Sequence, residues 1–131
     1  MKIDQIIILS VPHSAQRYPT AGDWELVGGT LTIRVSRMPD QRMEWALALH
    51  ELVEALLCTS RNITTEMVDE WDIKGEGAQL SEPGDDPRAP YFNEHMFATR
   101  IEEEFVNELD LNWHYYEDAI DNLTHEQENN P

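Results

Sequence analysis

The alternation of apolar and polar residues divides the chain into a β-rich first third and a helical remainder. Residues 3–11 are apolar and largely β-branched, which predicts a buried strand. Residues 30–36 alternate between apolar and polar types and follow a Gly28-Gly29 pair that separates them from a second short segment of strand-forming residues. Two such segments joined by Gly-Gly are typical of a β-hairpin. We therefore expect a small antiparallel sheet of about three strands within residues 1–38.

The period of the apolar residues becomes helical after Asp40. Asp40 is a suitable N-cap for a long helix over residues 41–59, because its side chain can accept a hydrogen bond from an unpaired backbone N–H of the first turn. Asn62 or Thr64 is a suitable N-cap for a shorter second helix. The middle of the chain is therefore expected to be helical.

The last third of the chain is predicted to contain a long loop and two more helices. Residues 74–90 hold three Gly and three Pro without an apolar period, which indicates an irregular loop. Apolar residues recur at helical spacing over residues 91–109, and a last helix is expected over residues 113–123. Residues 124–131 are expected to fray as a terminal tail.

The composition favours a single packed domain of the α+β class. Hydrophobic residues make up 40% of the 131 residues, which is enough for one core. We expect one domain over residues 1–131, in which the sheet of residues 1–38 packs against the three to four helices of residues 40–123. A single cysteine, Cys58, excludes an internal disulfide and fits a reducing compartment. Neither a signal peptide nor a membrane-spanning segment is recognisable, so a cytoplasmic location is expected.

Acidic residues are concentrated in the second half of the chain. The net charge is −17, and residues 1–65 carry six basic and seven acidic side chains, whereas residues 66–131 carry three basic and nineteen acidic ones. This charge repels nucleic-acid phosphates and anionic membranes, so neither is an expected partner. It attracts cations, either a metal ion or a basic protein. A solvated acidic face that keeps the protein soluble explains the same charge without a partner.

The predicted central helix combines an apolar sequence with ionisable residues. Residues 45–58 are apolar almost all round the helix, which is typical of a core helix, yet His50, Glu51 and Glu54 lie in its middle. Burying an ionised carboxylate is costly unless it is paired or bound to a cation. Such a conflict between local chemistry and expected burial marks a candidate functional site.

His50 and Glu54 are spaced to hold one metal ion between them. Residues four apart in a helix lie about 40° apart around the axis and about 6 Å along it, so their side chains can reach one ion. Glu51 projects about 100° away from His50, where its carboxylate can contact a water on that ion without binding the ion. This arrangement underlies the His-Glu-x-x-His helix of metalloproteases, with Glu54 in place of the second histidine. Glu51 is therefore the predicted general base.

The same spacing also has a purely structural interpretation. His50 and Glu54 could form an i, i+4 hydrogen-bonded pair on a partly exposed helix face. Glutamate in place of the second histidine makes the five-residue match less specific than the full metalloprotease motif. Both interpretations are compatible with the sequence.

A tetrahedral site needs ligands beyond the two that this helix supplies. His95 is the first choice, because the residues around it are expected to be buried. Glu102 lies two turns further on the same helix face and is either a fourth ligand or a carboxylate that orients one. Asp72, Asp85 and Asp86 are further candidates. Zn²⁺ is the expected cofactor, and the carboxylate ligand makes Mn²⁺ and Fe²⁺ the alternatives.

Two resemblances add to this interpretation. Residues 45–72, with Leu-His-Glu-Leu-Val-Glu-Ala at 49–55, resemble the motif helix of minimal zincin metallopeptidases. The wider pattern resembles a group of small uncharacterised proteins encoded by tailed bacteriophages, and it matches at residues 50–58, 71–72, 82–86 and 89–91 and at His95.

The resemblance to zincins implies specific roles and an activity. It implies a minimal zincin-like fold, metal binding by His50 and Glu54, and a general-base role for Glu51. The implied activity is metal-dependent hydrolysis of the peptidase type. The resemblance to phage proteins implies a location in the cytosol of the host.

Two other functions are compatible with the same residues. Glu51 and Glu54, followed by Glu66 and Asp69, resemble the paired acidic motifs of all-α nucleoside-triphosphate pyrophosphohydrolases, which hold Mg²⁺ against a triphosphate. The β-rich first third argues against that fold. Alternatively, a small acidic phage protein could bind and inhibit a basic host protein through its charged second half.

Overall fold

A three-stranded mixed sheet forms the N-terminal part of the protein. The computed structural model describes residues 2–129, and side chains within residues 2–123. The strands are β1 (Gln5–Val11), β2 (Gly22–Val27) and β3 (Thr30–Ser36), in the order β1-β3-β2. Strands β2 and β3 pair antiparallel, as predicted, but β1 pairs parallel to β3, so the prediction of an all-antiparallel sheet is wrong. The connection after β1 leaves room for one strand between β1 and β2. The tight turn after β2 then brings β3 into that central position.

The Gly-Gly turn and the alternating strand are confirmed. Gly28 and Gly29 have φ of 56° and 83°, the left-handed conformation that a two-residue hairpin turn requires at both positions. Leu31, Ile33 and Val35 are buried on the helix-facing side of β3. The central strand of the sheet therefore supplies much of the core.

Strand β1 forms as predicted but is not buried. Its four large apolar side chains are exposed by 38–50%, and they are Ile6, Ile7, Ile8 and Leu9. Helix α1 (Gln41–Ser60) packs on β2 and β3, so β1 lies at the sheet edge beyond the helical layer. The apolar run was compatible with a central strand, and only the strand order decided against one.

Four α-helices and several short helical turns follow the sheet within the described residues. The helices are α1 (Gln41–Ser60), α2 (Thr65–Asp69), α3 (Phe92–Glu108) and α4 (Trp113–Asn129). Both predicted caps form, because Asp40 accepts from the backbone N–H of Arg42 at 2.9 Å and Thr64 accepts from that of Met67 at 3.2 Å. The α+β class is therefore confirmed. None of the described helices combines the length and apolar character needed to cross a membrane.

The segment before α3 and the C-terminal helix differ from the prediction in detail. The predicted loop of residues 74–90 contains short helical turns at Glu76–Gln79 and Pro83–Asp85. Trp71, in a π-helical turn after α2, donates from Nε1 to the carbonyl oxygen of Pro83 at 2.9 Å and ties this segment to the helices. Helix α4 extends to Asn129, while the predicted frayed tail of residues 124–131 lies outside the residues whose side chains are described.

Helix α1 buries one face rather than its whole circumference. The buried residues follow one another at alternating spacings of three and one, and they are Met43, Ala46, Leu47, His50, Glu51, Glu54, Ala55 and Cys58. On the opposite side Trp45 and Leu56 are exposed by 48% and 41%. All three ionisable residues of the predicted motif thus lie on the buried face.

Helix α3 packs along α1 and presents carboxylates to it. Its buried residues recur every four positions and are Glu94, Ala98, Glu102 and Val106. Two acidic side chains on a buried helix face need nearby hydrogen-bond donors or cations. The packing of α3 on α1 therefore brings a second set of charged groups to the His50 face.

Candidate metal centre

Three ligand-type atoms converge between α1 and α3. The Nε2 atom of His50 lies 3.1 Å from Oε2 of Glu54 and 3.2 Å from Nδ1 of His95, and that Nδ1 lies 3.0 Å from the same Glu54 oxygen. His50 and Glu54 are buried, and the side chain of His95 is 12% exposed. The structure thus brings together the three residues that the sequence put first as metal ligands.

The size of this triangle fits a divalent cation. Ligand distances of 2.0–2.2 Å, which Zn²⁺ makes to histidine nitrogen and carboxylate oxygen, place neighbouring ligand atoms of a tetrahedron about 3.3 Å apart. The observed separations of 3.0 to 3.2 Å are close to that value. A small outward adjustment of the three side chains would complete one face of a tetrahedral site.

A carboxylate orients the ring of His50. Its Nδ1 lies 2.8 Å from Oε1 of Glu102, and the other oxygen of Glu102 accepts a short hydrogen bond from the hydroxyl of Tyr116. A carboxylate beside Nδ1 favours the tautomer with its proton there, which leaves a lone pair on Nε2. Glu102 therefore acts on the centre through His50 rather than as a direct ligand.

Hydrogen bonds also orient the ring of His95 and the carboxylate of Glu54. Nε2 of His95 lies 2.9 Å from Oδ1 of Asp85, so the Nδ1 lone pair of His95 faces the centre. Oε1 of Glu54 accepts a hydrogen bond from Nε1 of Trp24 at 3.0 Å, which leaves Oε2 for the centre. Gly84 allows the approach to His95, because a Cβ at Gly84 would lie 2.6 Å from the imidazole.

Three lone pairs facing one another require a positive charge between them. Burial lowers the pKa of His50, but its hydrogen bonds to Glu102 and Glu54 outweigh burial and raise that pKa well above the ordinary value. Burial raises the pKa of Glu54, yet the hydrogen bonds with His50 and His95 lower it to about 2. The centre therefore holds either an extra proton on an imidazole or a metal ion in its place.

Glu51 lies beside the triangle and lines a cleft. The residue is 7% exposed, and its Oε2 lies 3.7 Å from Nε2 of His50, too far for a hydrogen bond. Among the described residues nothing donates a hydrogen bond to this carboxylate, and burial next to Glu54 raises the pKa of Glu51 well above its usual range. Gly22 leaves the space that Glu51 occupies, since a Cβ at Gly22 would lie 2.9 Å from Glu51 Cγ.

Asp72 lies near the centre without joining the triangle. Its two carboxylate oxygens accept hydrogen bonds from the hydroxyls of Tyr18, at 2.9 Å, and Tyr91, at 2.5 Å. Burial raises the pKa of Asp72 to about 6 despite these two donors. Asp72 is therefore a buried carboxylate on the wall beside the centre.

The last two acidic candidates have different positions. Asp85 contacts His95 and belongs, with Glu82, to a second, more exposed group of potential ligands around that ring. Asp86 instead pairs with Arg88 at 2.9 Å and lies outside the triangle. The prediction of Asp86 as a weaker ligand is not supported, because its carboxylate forms a local pair two residues along the chain.

The centre lies at the bottom of a cleft of about 690 Å³. Sequence inspection missed four residues that hold the carboxylates of this cleft, namely Trp24, Tyr116, Tyr18 and Tyr91. Each is an aromatic residue with a polar group, and nothing in its local sequence distinguishes it from a core aromatic. The only available signal was that buried Tyr and Trp need a hydrogen-bond partner.

Comparison of the chain with protein-family models, with curated proteins and with solved structures finds no match. The resemblance of the helix to zincins therefore stays an expectation from residues 45–72. Any functional conclusion depends on the geometry of the site.

Proposed function

We propose that the protein is a metal-dependent hydrolase whose divalent cation is bound by His50, Glu54 and His95. One observation carries this proposal. Three acceptor atoms lie within about 3 Å of one another, while the outer nitrogen of each imidazole faces a carboxylate. This protonation pattern is the one that metal-binding histidines have in proteins.

The ligand set favours Zn²⁺, with Mn²⁺ and Fe²⁺ as alternatives, because imidazole suits all three and the carboxylate makes the site harder. A divalent cation bound here would polarise a substrate carbonyl and lower the pKa of a bound water. Glu51 would accept a proton from that water and return it to the leaving group. Its burial without a hydrogen-bond donor in the described structure leaves both oxygens available for this role.

The arrangement supports catalysis better than a structural site. Structural zinc sites are closed by four protein ligands, whereas catalytic sites keep one position open. Within the described residues the group contains three ligand side chains, and it lies in a cleft beside Glu51, a carboxylate that accepts no hydrogen bond there. The open fourth position would face Glu51 and the substrate.

Metal content tests the first half of the proposal. We expect tag-free protein, purified without chelators, to contain one equivalent of a first-row metal by elemental analysis. His50→Ala, Glu54→Ala and His95→Ala should lose that metal, because each removes an atom of the triangle. Glu51→Gln should retain it, and Asp86→Asn is the matched acidic control outside the triangle. Folded wild-type protein that takes up no metal would overturn the proposal.

Hydrolysis tests the second half. Metal-loaded protein should cleave members of a quenched fluorescent peptide library, and 1,10-phenanthroline should abolish cleavage. Glu51→Gln should lower kcat by at least about 100-fold while it keeps the metal, since general acid–base groups contribute about 10²–10⁴-fold. Equal cleavage by Glu51→Gln and wild type would exclude Glu51 as the base.

The two alternative functions gain less support from the geometry. The pyrophosphohydrolase alternative requires Asp69 to hold Mg²⁺, but both its oxygens accept hydrogen bonds from Arg17 at 3.1 Å. Inhibition of a basic host protein would need only the acidic surface and would leave the convergence of His50, Glu54 and His95 without a role.

A further inference from the structure

The walls of the cleft carry an extreme excess of negative charge. Nine of the described residues that line the cleft are Asp or Glu, and no described lining residue is Lys or Arg. Asp23 is neutralised by Arg17, whose Nε lies 2.7 Å from it, whereas the other eight have no Lys or Arg partner within the described residues. A divalent cation at the centre would offset the charges of Glu54 and Glu102. The exposed carboxylates at the mouth of the cleft would then still make it negative with its metal bound.

The carboxylates that pair with no Lys or Arg occupy both the bottom and the rim of the cleft. Glu51 lies at the bottom, more than nine-tenths buried, and receives no hydrogen bond from a described residue. Exposed carboxylates on two separate elements form the rim: Glu82 and Asp85 in the segment before α3, and Glu117 and Asp121 one turn apart on α4. A cleft focuses the electric field of such carboxylates, which raises the local concentration of cations and repels anions.

Apolar side chains lie between these charges. Leu47, Val68, Ile73, Trp113 and Ile120 line the same cleft. A bare metal ion gains little from such walls. Lysine and arginine side chains match them, because their long aliphatic stems pack on apolar surface while the charged head reaches a carboxylate.

We propose that the cleft binds a basic peptide segment, and that the substrate of the hydrolase is a polypeptide rich in lysine or arginine. Cationic side chains of this segment lie on the apolar wall and contact the rim carboxylates of Glu82, Asp85, Glu117 and Asp121. Cleavage of the segment rests on the function proposed above, whereas its binding requires only the cleft. The two statements are therefore tested separately.

Binding is measured with Glu51→Gln protein, which removes turnover and leaves the rim unchanged. The probes are a fluorescein-labelled peptide of alternating Lys and Ala, the matched Glu and Ala peptide, and a Ser and Ala peptide of the same length. We expect fluorescence anisotropy to show binding of the lysine peptide and no binding of the glutamate peptide. The affinity should fall several-fold as NaCl rises from about 50 to about 300 mM, because the rim contacts are exposed and screened by salt.

Two double variants that remove the same charge test whether the peptide binds at the rim of the cleft. Glu117→Gln with Asp121→Asn removes two carboxylates from the rim and should weaken the lysine peptide roughly threefold to 30-fold, the effect of losing two exposed ion pairs. Glu103→Gln with Asp118→Asn removes the same charge from exposed positions that do not line the cleft, and should weaken it less than about twofold. Equal losses in the two double variants would mean that net charge alone attracts the peptide, and would overturn the proposal.

The outcomes separate this inference from the proposed hydrolase function. Tight binding of the lysine peptide without cleavage by metal-loaded wild type would support the inference and contradict the hydrolase. Cleavage of neutral peptides in preference to lysine peptides would support the hydrolase and overturn the inference. Spermine that competes as strongly as a lysine peptide of equal charge would also overturn it, because the cleft would then recognise spaced ammonium groups rather than a peptide.

Discussion

At the scale of single residues, the position of one proton on each imidazole decides what the centre can bind. Glu102 and Asp85 accept from the outer nitrogens of His50 and His95, so both inner nitrogens carry lone pairs when the rings are neutral. Glu54 adds an oxygen with a further lone pair. A metal ion binds all three lone pairs at once, whereas a single proton is held by one of these atoms and is shared by a hydrogen bond with only one other.

Tyr116 tests how far the residues behind the ligands matter. Its hydroxyl donates to Glu102, which in turn orients His50. Tyr116→Phe should weaken metal affinity by about 10–100-fold, the usual effect of removing a partner of a metal ligand. Tyr115→Phe is the control, because Tyr115 is the neighbouring tyrosine and is 56% exposed. Competition with a fluorescent zinc chelator measures both, and equal affinities would show that Glu102 needs no donor.

Gly22 tests the placement of Glu51, the proposed general base. A Cβ at this position would lie 2.9 Å from Glu51 Cγ, so Gly22→Ala should displace the carboxylate from its position over the centre. We expect at least about a tenfold loss of hydrolysis with metal content unchanged, because small displacements of a catalytic group are costly. Steady-state kinetics and elemental analysis on the same sample measure the two effects. Loss of metal together with activity would instead assign Gly22 a role in the ligand geometry.

At the scale of elements, α1 and α3 assemble the centre and the sheet supports it. Helix α1 supplies His50, Glu51 and Glu54, while α3 supplies His95 and Glu102. Trp24 of β2 reaches the centre from the sheet by its hydrogen bond to Glu54. The site therefore depends on how these three elements pack and on no single one of them.

The strands differ in their contribution to stability, and a pair of adjacent isoleucines measures this difference. Ile8 of β1 and Ile33 of β3 are register partners, but Ile8 is 50% exposed and Ile33 is fully buried. Ile33→Ala should lower the free energy of unfolding by about 2–5 kcal/mol, the usual loss for a buried isoleucine. Ile8→Ala should cost less than about 1 kcal/mol, as exposed positions do. Urea denaturation compares the two, and equal losses would show that β1 is covered in solution.

At the scale of the whole molecule, we expect pH and the proposed metal binding to act together on stability. Burial raises the folded pKa of Asp72 to about 6 from an ordinary 3.8, and the pKa of His50 also lies above its ordinary value. The metal-free folded protein therefore binds more protons than the unfolded chain. The stability that these protons contribute is complete below the unfolded pKa values and is lost as the pH rises through the folded ones. The lowered pKa of Glu54, about 2, contributes a constant amount to the stability between about pH 5 and about pH 8, because the carboxyl is ionised in both the folded and the unfolded chain there.

The resulting prediction concerns the melting temperature. Metal-free protein should melt at a higher temperature at about pH 5 than at about pH 8. Asp72 loses its extra proton between these values, and the stability contributed by His50 declines once the pH exceeds its ordinary pKa of 6.5. Metal requires the deprotonated ligands, so the increase in melting temperature on adding Zn²⁺ should be larger at about pH 8. Differential scanning fluorimetry with and without EDTA measures both trends. A metal effect that is the same at both pH values would contradict ligand deprotonation at the centre.

Much of the local structure could be predicted because its causes are close together in the sequence. Asp40 and Thr64 cap their helices within three residues, and the positive φ angles of Gly28 and Gly29 define the hairpin turn. The spacing of His50 and Glu54 likewise follows from the helix repeat alone. These features need no knowledge of how distant segments pack.

The sequence by itself determined the helices, the hairpin, the acidic second half and the pairing of His50 with Glu54 on one helix face. Only the tertiary structure decided that β1 lies exposed at the sheet edge, that His95 completes the triangle, and that Glu102 orients His50 from behind. The physical reason is distance along the chain. Caps, turns and helical spacing depend on neighbours within a few residues, whereas strand order and the partners of a buried charge depend on which remote surfaces exclude water together.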